Sequence, residues 1–438
     1  MAAGQFRIRG YIEGFYGRPW THVQRLDMLR FASSHGANAW FYAPKDDPYH
    51  RRLWREAYPP EELSRLRELK KNADGCGVTV FWCVAPGLSM RYSSERDRAA
   101  LFGKLRSLYS AGFRHFGLLL DDIPEDLFYP EDQAKYGETV TAHIDLCRDC
   151  FARLKALDAS VRLAVCPMQY HGKGTEDYIS RLGRALPEET LLFFTGADIC
   201  SKELTSREAE IFYNATGHRP LYWDNYPVND AEMFKEMHIG PLIGREPELY
   251  RYAEGIVSNC MEYYESGKFA LATAFRYMAD PPGYDPEAAF ADALAELLPE
   301  EDVREAFTLF ADHLRTSCLK DENSRLMGEA FGRAGLLLET GDKDRAMAVI
   351  AAYTARVRRS ADLLRTRTGP LFTELAEWLA KYDRMAEILD AALALLQTGQ
   401  GKEALAAKMK RYNDCATVLT AFCFREYVET VLRLSSSR

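Results

Sequence analysis

His115-Phe-Gly-Leu-Leu-Leu-Asp-Asp122 is the stretch on which the reading of this chain turns. Its apolar run has the composition of a strand buried on both faces, the kind found in parallel sheets. It ends in two adjacent carboxylates, and the C-terminal tips of parallel strands are where α/β barrels keep their chemistry. Neighbouring side chains on a strand point to opposite faces. For Asp121 and Asp122 to reach one pocket, the backbone must leave strand geometry near Asp122, and Pro124 fits such a break. Two close carboxylates do not ionise independently, so one can serve as an acid. The plainer alternative is a helix cap at Asp122 or a solvated loop pair.

Outward from this stretch, the pattern repeats. Apolar strand-like runs are expected at 8–13, 39–43, 78–85, 116–120, 162–166, 191–195, 221–224 and 255–259. Helical patterns such as 21–34, 60–73, 95–111, 139–157 and 177–186 lie between them. About eight βα units in under ~290 residues is the rhythm of a (β/α)8 TIM-type barrel. A doubly wound open sheet is the alternative, weakened because no Gly-x-Gly-x-x-Gly follows the first strand. Pro281-Pro-Gly-Tyr-Asp-Pro286 interrupts the pattern. Beyond it only helices are expected, at 285–298, 301–314, 322–338, 343–367, 371–396 and 402–434, with a frayed tail at 435–438. In the segment 371–396, Leu371, Leu375, Trp378, Tyr382, Met385, Leu389, Leu393 and Leu396 recur every three or four residues, a stripe that reads as bundle core. The expected domains are therefore a barrel over 1–284 and an all-α helical bundle over 285–438.

Composition narrows the class. The 438 residues are 47% hydrophobic and 27% charged, with a net charge of −8. A general nucleic-acid binder would carry a basic face, so no nucleic-acid partner is expected. No apolar run reaches the ~20 residues that span a bilayer, and the start has no apolar signal-type segment, so a cytoplasmic location and no membrane partner are expected. The ten cysteines are scattered in apolar or helical runs, as buried thiols would be. Cys147-Arg-Asp-Cys150 has half a metal-site spacing without its second half, and reads as structural.

The barrel reading demands polar residues at strand tips, and they are there. Strand one ends in Glu13-Gly-Phe-Tyr-Gly-Arg-Pro-Trp20, strand two in Tyr42-Ala-Pro-Lys-Asp-Asp47, and strand five in Cys166-Pro-Met-Gln-Tyr-His-Gly172. Strand seven ends in Tyr222-Trp-Asp-Asn-Tyr-Pro227 with Asp230 beyond, and strand eight in Ser258-Asn259. Amides, carboxylates and aromatic walls suit a sugar. A phosphate would call for a Gly-rich cradle or an Arg cluster. Asp121, Asp122 and Asp230 could instead ligate a divalent cation, but no histidines accompany them, so no metal or cofactor is expected. Each residue has a plainer use. Lys45 could neutralise Asp46 and Asp47, and Tyr170 could be a rim aromatic. Trp223 could be core, Asn225 and Asn259 could be helix caps, and His171 reads as a surface loop residue.

Gly10-Tyr-Ile-Glu-Gly-Phe-Tyr-Gly-Arg-Pro-Trp20, Tyr42-Ala-Pro-Lys-Asp-Asp47, Leu120-Asp-Asp122 and Trp223-Asp-Asn225 closely resemble the O-GlcNAcase and bacterial hyaluronidase-like glycosidases, glycoside hydrolase family 84. The likeness covers about 7–280, and the helical tail is similar to the stalk that follows the barrel in that family. One departure is Cys260, where family members carry proline after the last asparagine. The resemblance implies a retaining exo-β-N-acetylglucosaminidase in which the substrate's own acetamido oxygen attacks the anomeric carbon and forms an oxazoline, an exception to the two-carboxylate scheme. It implies that Asp121 orients the acetamido group and that Asp122 is acid and then base. Tyr170 would bond the acetamido group or the reacting centre, and Asn225 would hold the acetamide. Trp223 would line its pocket, while Gly14, Lys45, Asp230 and Asn259 would bind the sugar hydroxyls. The implied partner is a glycoside or glycoprotein bearing N-acetylglucosamine, with its aglycone left open between glycoprotein, peptidoglycan fragment and chitooligosaccharide. The stalk-like helices could pair two chains into a homodimer. Another hexosaminidase or a chitinase-type barrel, either of which would place Glu near Asp, a non-catalytic sugar-binding module and a metal-dependent lyase or aldolase are the competing readings.

Overall fold

The computed structural model describes residues 4–420, 424 and 426–428. Eight strands, β1 (Ile8–Ile12), β2 (Ala39–Tyr42), β3 (Thr79–Val84), β4 (His115–Leu119), β5 (Arg162–Cys166), β6 (Leu191–Phe194), β7 (Pro220–Asp224) and β8 (Gly255–Asn259), run parallel in sequence order and close into a barrel. Closure is made by β1 on β8, where Ile8 pairs with Gly255 and Ile12 with Asn259. The chain is a (β/α)8 barrel followed by further helices, as the alternation of apolar runs and helical patterns implied.

The barrel interior is filled rather than hollow. Ile8, Ile12, Phe41, Phe81, Leu119, Phe193, Leu221, Trp223 and Val257 form one buried cluster. Phe41 stacks on Phe81 with ring centroids 4.3 Å apart. Burying each such ring contributes roughly 1.5–3 kcal/mol before entropy is subtracted. Gly117 of β4 belongs to this economy of space, since a Cβ there would stand 2.5 Å from the Cys83 sulfur.

The crossover helices are α1 (His22–Ser34), α2 (Pro60–Gly75), α3 (Glu95–Ser110), α4 (Pro130–Tyr136), α5 (Thr139–Leu157), α6 (Asp177–Ala185), α7 (Ser206–Thr216) and α8 (Tyr264–Ala279). Their starts follow local chemistry. Thr21 and Gln24 make a reciprocal capping box at α1, and α2 opens on Pro60 followed by Glu61 and Glu62. Cys147 and Cys150 lie buried on α5, with their thiols pushed up by burial, as inert core thiols are.

The chain divides into two compact units. The first runs up to Val228 and adds Leu242–Tyr264 and Leu271–Pro286, and the second comprises Asn229–Pro241, Glu265–Ala270 and the chain from Glu287 onward. The second unit contains α9 (Pro286–Leu297, from its second residue), α10 (Glu301–Asp312), α11 (Arg325–Glu339), α12 (Lys343–Arg365), α13 (Pro370–Glu374), α14 (Ala376–Thr398) and α15 (Lys402–Asn413). Here α12 packs on α10, α11 and α14. Of the expected stripe, Leu375, Trp378, Tyr382, Met385 and Leu389 are buried, while Leu371, Leu393 and Leu396 are only partly so, with Ala392 and Leu395 buried in their place.

Two expectations about this unit are corrected. The helix expected at 371–396 is interrupted at Leu375, which closes α13 and opens α14. The long helix expected from Lys402 ends at Asn413. The buried Lys381 ammonium donates to the carbonyls of Cys415 and Thr417, and the Val418 amide donates to the Lys235 carbonyl at 2.7 Å, so this backbone is satisfied outside a helix. Beyond Asn413 the expected helix is broken over 414–420, while Phe424 and 426–428 are helical again; the rest of it and the tail lie outside the described residues.

Candidate active site

The Leu120 amide still bonds to the Cys166 carbonyl at 2.9 Å, so strand pairing persists up to Asp121. Asp122 then adopts φ +53°, a left-handed conformation that a non-glycine residue takes at a cost of about 1 kcal/mol and that Asp tolerates better than most. This is the departure from strand geometry that the adjacent carboxylates required. Asp121 is buried beside Lys45, whose ammonium lies 3.5 Å from Oδ2. Asp122 stays exposed and meets two phenols, the Tyr16 hydroxyl at 3.0 Å from Oδ2 and the Tyr170 hydroxyl at 3.3 Å from Oδ1.

Burial pulls the Lys45 ammonium down, but the Asp121 carboxylate, with Tyr16 and Asp122 beside it, more than reverses this, so its pKa lies above the ordinary lysine value. Lys45 thus stays a cation at the site, not a neutraliser of Asp46 and Asp47. Burial, and then the charge of Asp122, hold the Tyr170 phenol well above the usual tyrosine range, so it acts as a neutral donor. The carbonyl of Tyr170 accepts from the Thr195 amide at 2.8 Å, which ties the loop after β5 to the end of β6.

A second wall is built from β1, β7 and β8. Trp223 packs into the barrel core beside Phe193, with centroids 5.5 Å apart, and its Nε1 donates to Asn225 Oδ1 at 3.0 Å. The Asn259 amide donates to the same oxygen, also at 3.0 Å, and Asn225 Nδ2 donates to the Ile199 carbonyl at 2.7 Å. Gly14 closes this corner. A Cβ there would sit 2.6 Å from Trp223 Cζ2 and 3.1 Å from Asn259 Oδ1. Trp223 is therefore core packing that also borders Gly14 and Asn225. Cys260, at the position where proline was expected, is buried and continues the ladder by donating its amide to the Ile12 carbonyl at 3.1 Å.

The buried strand-tip carboxylates fall into two kinds. Glu13 is held bidentately by Arg25 at 2.8 and 2.6 Å, and Asp224 by Arg245 at 2.9 and 2.5 Å. Such forks satisfy both carboxylate oxygens. Asp121 is different: its Oδ1 is buried with no hydrogen-bond partner among the described residues, and the same is true of Asn259 Oδ1. A buried acceptor left unsatisfied costs about 1–3 kcal/mol, and a ligand donor at either atom would relieve that cost.

Eight of the nine expected residues lie on loops or strand ends at one end of the barrel, in two contacting groups: Lys45, Asp121, Asp122 and Tyr170, and Gly14, Trp223, Asn225 and Asn259. Asp230 stands at the head of the short turn Ala231–Met233, in the segment Asn229–Pro241 that belongs to the second unit. His171 is exposed on its loop. Among the described residues no three His, Cys, Asp or Glu side chains converge as a metal site would need. Tyr16 and Arg51 were not singled out from the sequence. The Arg51 guanidinium donates to the Tyr16 hydroxyl at 2.8 Å, and Lys45 lies 5.0 Å from the centroid of the Tyr16 ring. The quoted tip of strand one held Tyr16 as one aromatic among several, and no local signal tied it to Asp122.

Residues 9–312 match the family model described as β-N-acetylglucosaminidase. The Protein O-GlcNAcase of Rattus norvegicus and that of Mus musculus are each 29% identical over 301 residues, 67% of this chain and 32% of theirs. The chain thus spans about a third of the length of the curated relatives it matches. A solved mutant form of the Thermobaculum terrenum O-GlcNAc hydrolase superposes with a TM-score of 0.91 at 31% identity, over 99% of this chain and 96% of that one.

Proposed function

This chain belongs to the β-N-acetylglucosaminidase family, and on that premise we propose that it is a retaining exo-β-N-acetylglucosaminidase acting by substrate-assisted catalysis. The observation that carries the reading is the orphaned, buried Oδ1 of Asp121. An acetamido N–H is a donor that would satisfy it, and the bond would turn the acetamido oxygen toward the anomeric carbon. The same carboxylate would stabilise the positive charge that develops as the oxazoline forms.

Asp122 serves as acid and then base. It protonates the leaving oxygen, then takes a proton from the water that opens the oxazoline. Its exposure fits this role, since both leaving group and water must reach it. Tyr170 donates to the acetamido group or the reacting centre. Trp223 and Asn225 line and hold the acetamido pocket, and Asn225 also fixes Trp223 and Asn259 in place. Lys45, Asn259, Asp230 and the Gly14 backbone are assigned to the sugar hydroxyls.

The proposed domains are a catalytic barrel over 1–284 and a helical bundle over 285–438. The substrate is a glycoside or glycoprotein ending in β-linked N-acetylglucosamine. A cytoplasmic location accords with the buried free thiols, and no helix among the described residues is long and apolar enough to cross a membrane. Pairing of two chains through the second domain is also proposed. It has a candidate contact in Leu336 of α11, 68% exposed, and light scattering would check it.

The test is the initial rate on nitrophenyl β-N-acetylglucosaminide beside nitrophenyl β-glucoside, each with and without chelator. Cleavage of the first alone, unaffected by chelator, is expected. Cleavage of neither, or of both equally, removes the acetamido-dependent mechanism.

A further inference from the structure

Asp122 is held by two phenols that differ in what stands behind them. Tyr16 has one O–H and accepts from Arg51 at 2.8 Å while donating to Asp122 Oδ2 at 3.0 Å. A guanidinium has only donors and keeps its charge at any working pH, so it cannot exchange roles with the phenol. With its oxygen engaged by Arg51, Tyr16 has its proton left for Asp122. The Tyr170 contact, to the other oxygen, is longer at 3.3 Å, and among the described residues nothing donates to the Tyr170 hydroxyl. Tyr170 can therefore turn its proton away and accept instead.

We propose that Arg51 is a positioning residue that acts through Tyr16, making Oδ2 of Asp122 an obligatory acceptor so that the catalytic proton is carried on Oδ1. The inference rests on Asp122 being the acid of the proposed reaction. In the first step the proton leaves Oδ1 for the leaving oxygen as the anomeric C–O bond breaks and the acetamido oxygen bonds to the anomeric carbon. In the second, water bonds to that carbon, the oxazoline C–O bond breaks, and the water's proton returns to Oδ1. Throughout, Oδ2 keeps the Tyr16 bond and fixes the carboxyl plane. Three loops meet here, after β1, β2 and β4, and the Lys45 ammonium near the Tyr16 ring adds a second cation to the same corner.

The test compares dinitrophenyl and phenyl β-N-acetylglucosaminides, whose leaving groups need little and much protonation respectively, with Arg51→Met, Tyr16→Phe, the double variant and Arg51→Lys. General acid catalysis contributes about 10²–10⁴-fold. Loss of the correct proton position is expected to lower kcat/KM on the phenyl glycoside at least about tenfold more than on the dinitrophenyl one, with Arg51→Lys recovering part of the difference. Because Arg51 acts through Tyr16, the double variant is expected within about twofold of Tyr16→Phe alone. Equal losses on both substrates, or losses that multiply in the double variant, would overturn the positioning role while leaving the proposed function intact. No cleavage of the dinitrophenyl glycoside by the unsubstituted protein would overturn both. If Arg51→Met fails to fold, Tyr16→Phe carries the substrate comparison, because it removes one hydroxyl from a side chain that is 44% exposed.

Discussion

Replacing Gly14 with alanine adds one methyl group at a tight corner of the site. The new carbon would lie 2.6 Å from Trp223 Cζ2 and 3.0 Å from Cη2, with Asn259 Oδ1 at 3.1 Å. Ordinary carbon contacts stand at about 3.5–4.0 Å, so the indole must retreat by roughly 1 Å. It has little freedom to do so. Its Nε1 is bonded to Asn225, and the ring is packed against Phe193 inside the barrel. Asn225 also receives Asn259, so a shift of the ring pulls on both amides. Overpacking of this kind costs about 1–3 kcal/mol of stability. A misplacement of about 1 Å can cost about 10²-fold in rate, which corresponds to about 2.7 kcal/mol of barrier. We expect Gly14→Ala to lower kcat/KM on nitrophenyl β-N-acetylglucosaminide about 10- to 100-fold, with a cooperative melt retained. An activity within about twofold of the unsubstituted protein would show that the indole is not held as argued.

The proposed acid gives a second expectation: Asp122→Asn should lose far more turnover on poor leaving groups than on activated aryl glycosides, and an equal loss on both contradicts its role. Asp121→Asn places a donor where the acetamido N–H should be accepted, so kcat should fall by about 10²-fold or more. Near-normal kcat removes Asp121 from the reaction. Arg245→Met leaves the Asp224 carboxylate buried without its fork, a change expected to cost about 3–5 kcal/mol in urea unfolding. A loss under about 1 kcal/mol would refute that account of the pair. Finally, His143 is buried between the hydroxyls of Tyr178 and Tyr92, and burial lowers its pKa to about 3. The folded state therefore keeps it neutral while the unfolded chain takes up the proton near pH ~6.5, so stability is full above that pH and lost as pH falls toward the folded value. His143→Gln should flatten the acid limb between pH ~6.5 and ~4 by up to ~1.4 kcal/mol per pH unit, and an unchanged slope would show that His143 is not held neutral.

How much of this was legible in the sequence depends on whether the cause lay near its effect. The eight strands were readable because a strand covered on both faces must be apolar along its whole length, whereas the register in which they pair was not. The departure from strand geometry at Asp122, though not its left-handed form, was implied by the demand that two adjacent carboxylates share a pocket. The end of α15 was not readable, because the carbonyls beyond it are captured by Lys381, more than thirty residues earlier. The Tyr16–Arg51 contact spans 35 residues and joins two loops that the parallel pairing of β1 with β2 brings together. The harder question was which strand-tip carboxylates are chemical and which structural. Glu13, Asp121 and Asp224 look alike in sequence, each closing an apolar run. They are sorted by partners that arrive from elsewhere: Arg25 on α1 for Glu13, Arg245 on the loop before β8 for Asp224 and, among the described residues, a single Lys45 contact for Asp121. Burial alone therefore does not mark the chemistry of this barrel. Among these three strand-tip carboxylates, the proposed site residue is the one with a buried oxygen that no described residue satisfies, and that separates Asp121 from Glu13 and Asp224 without reference to any relative.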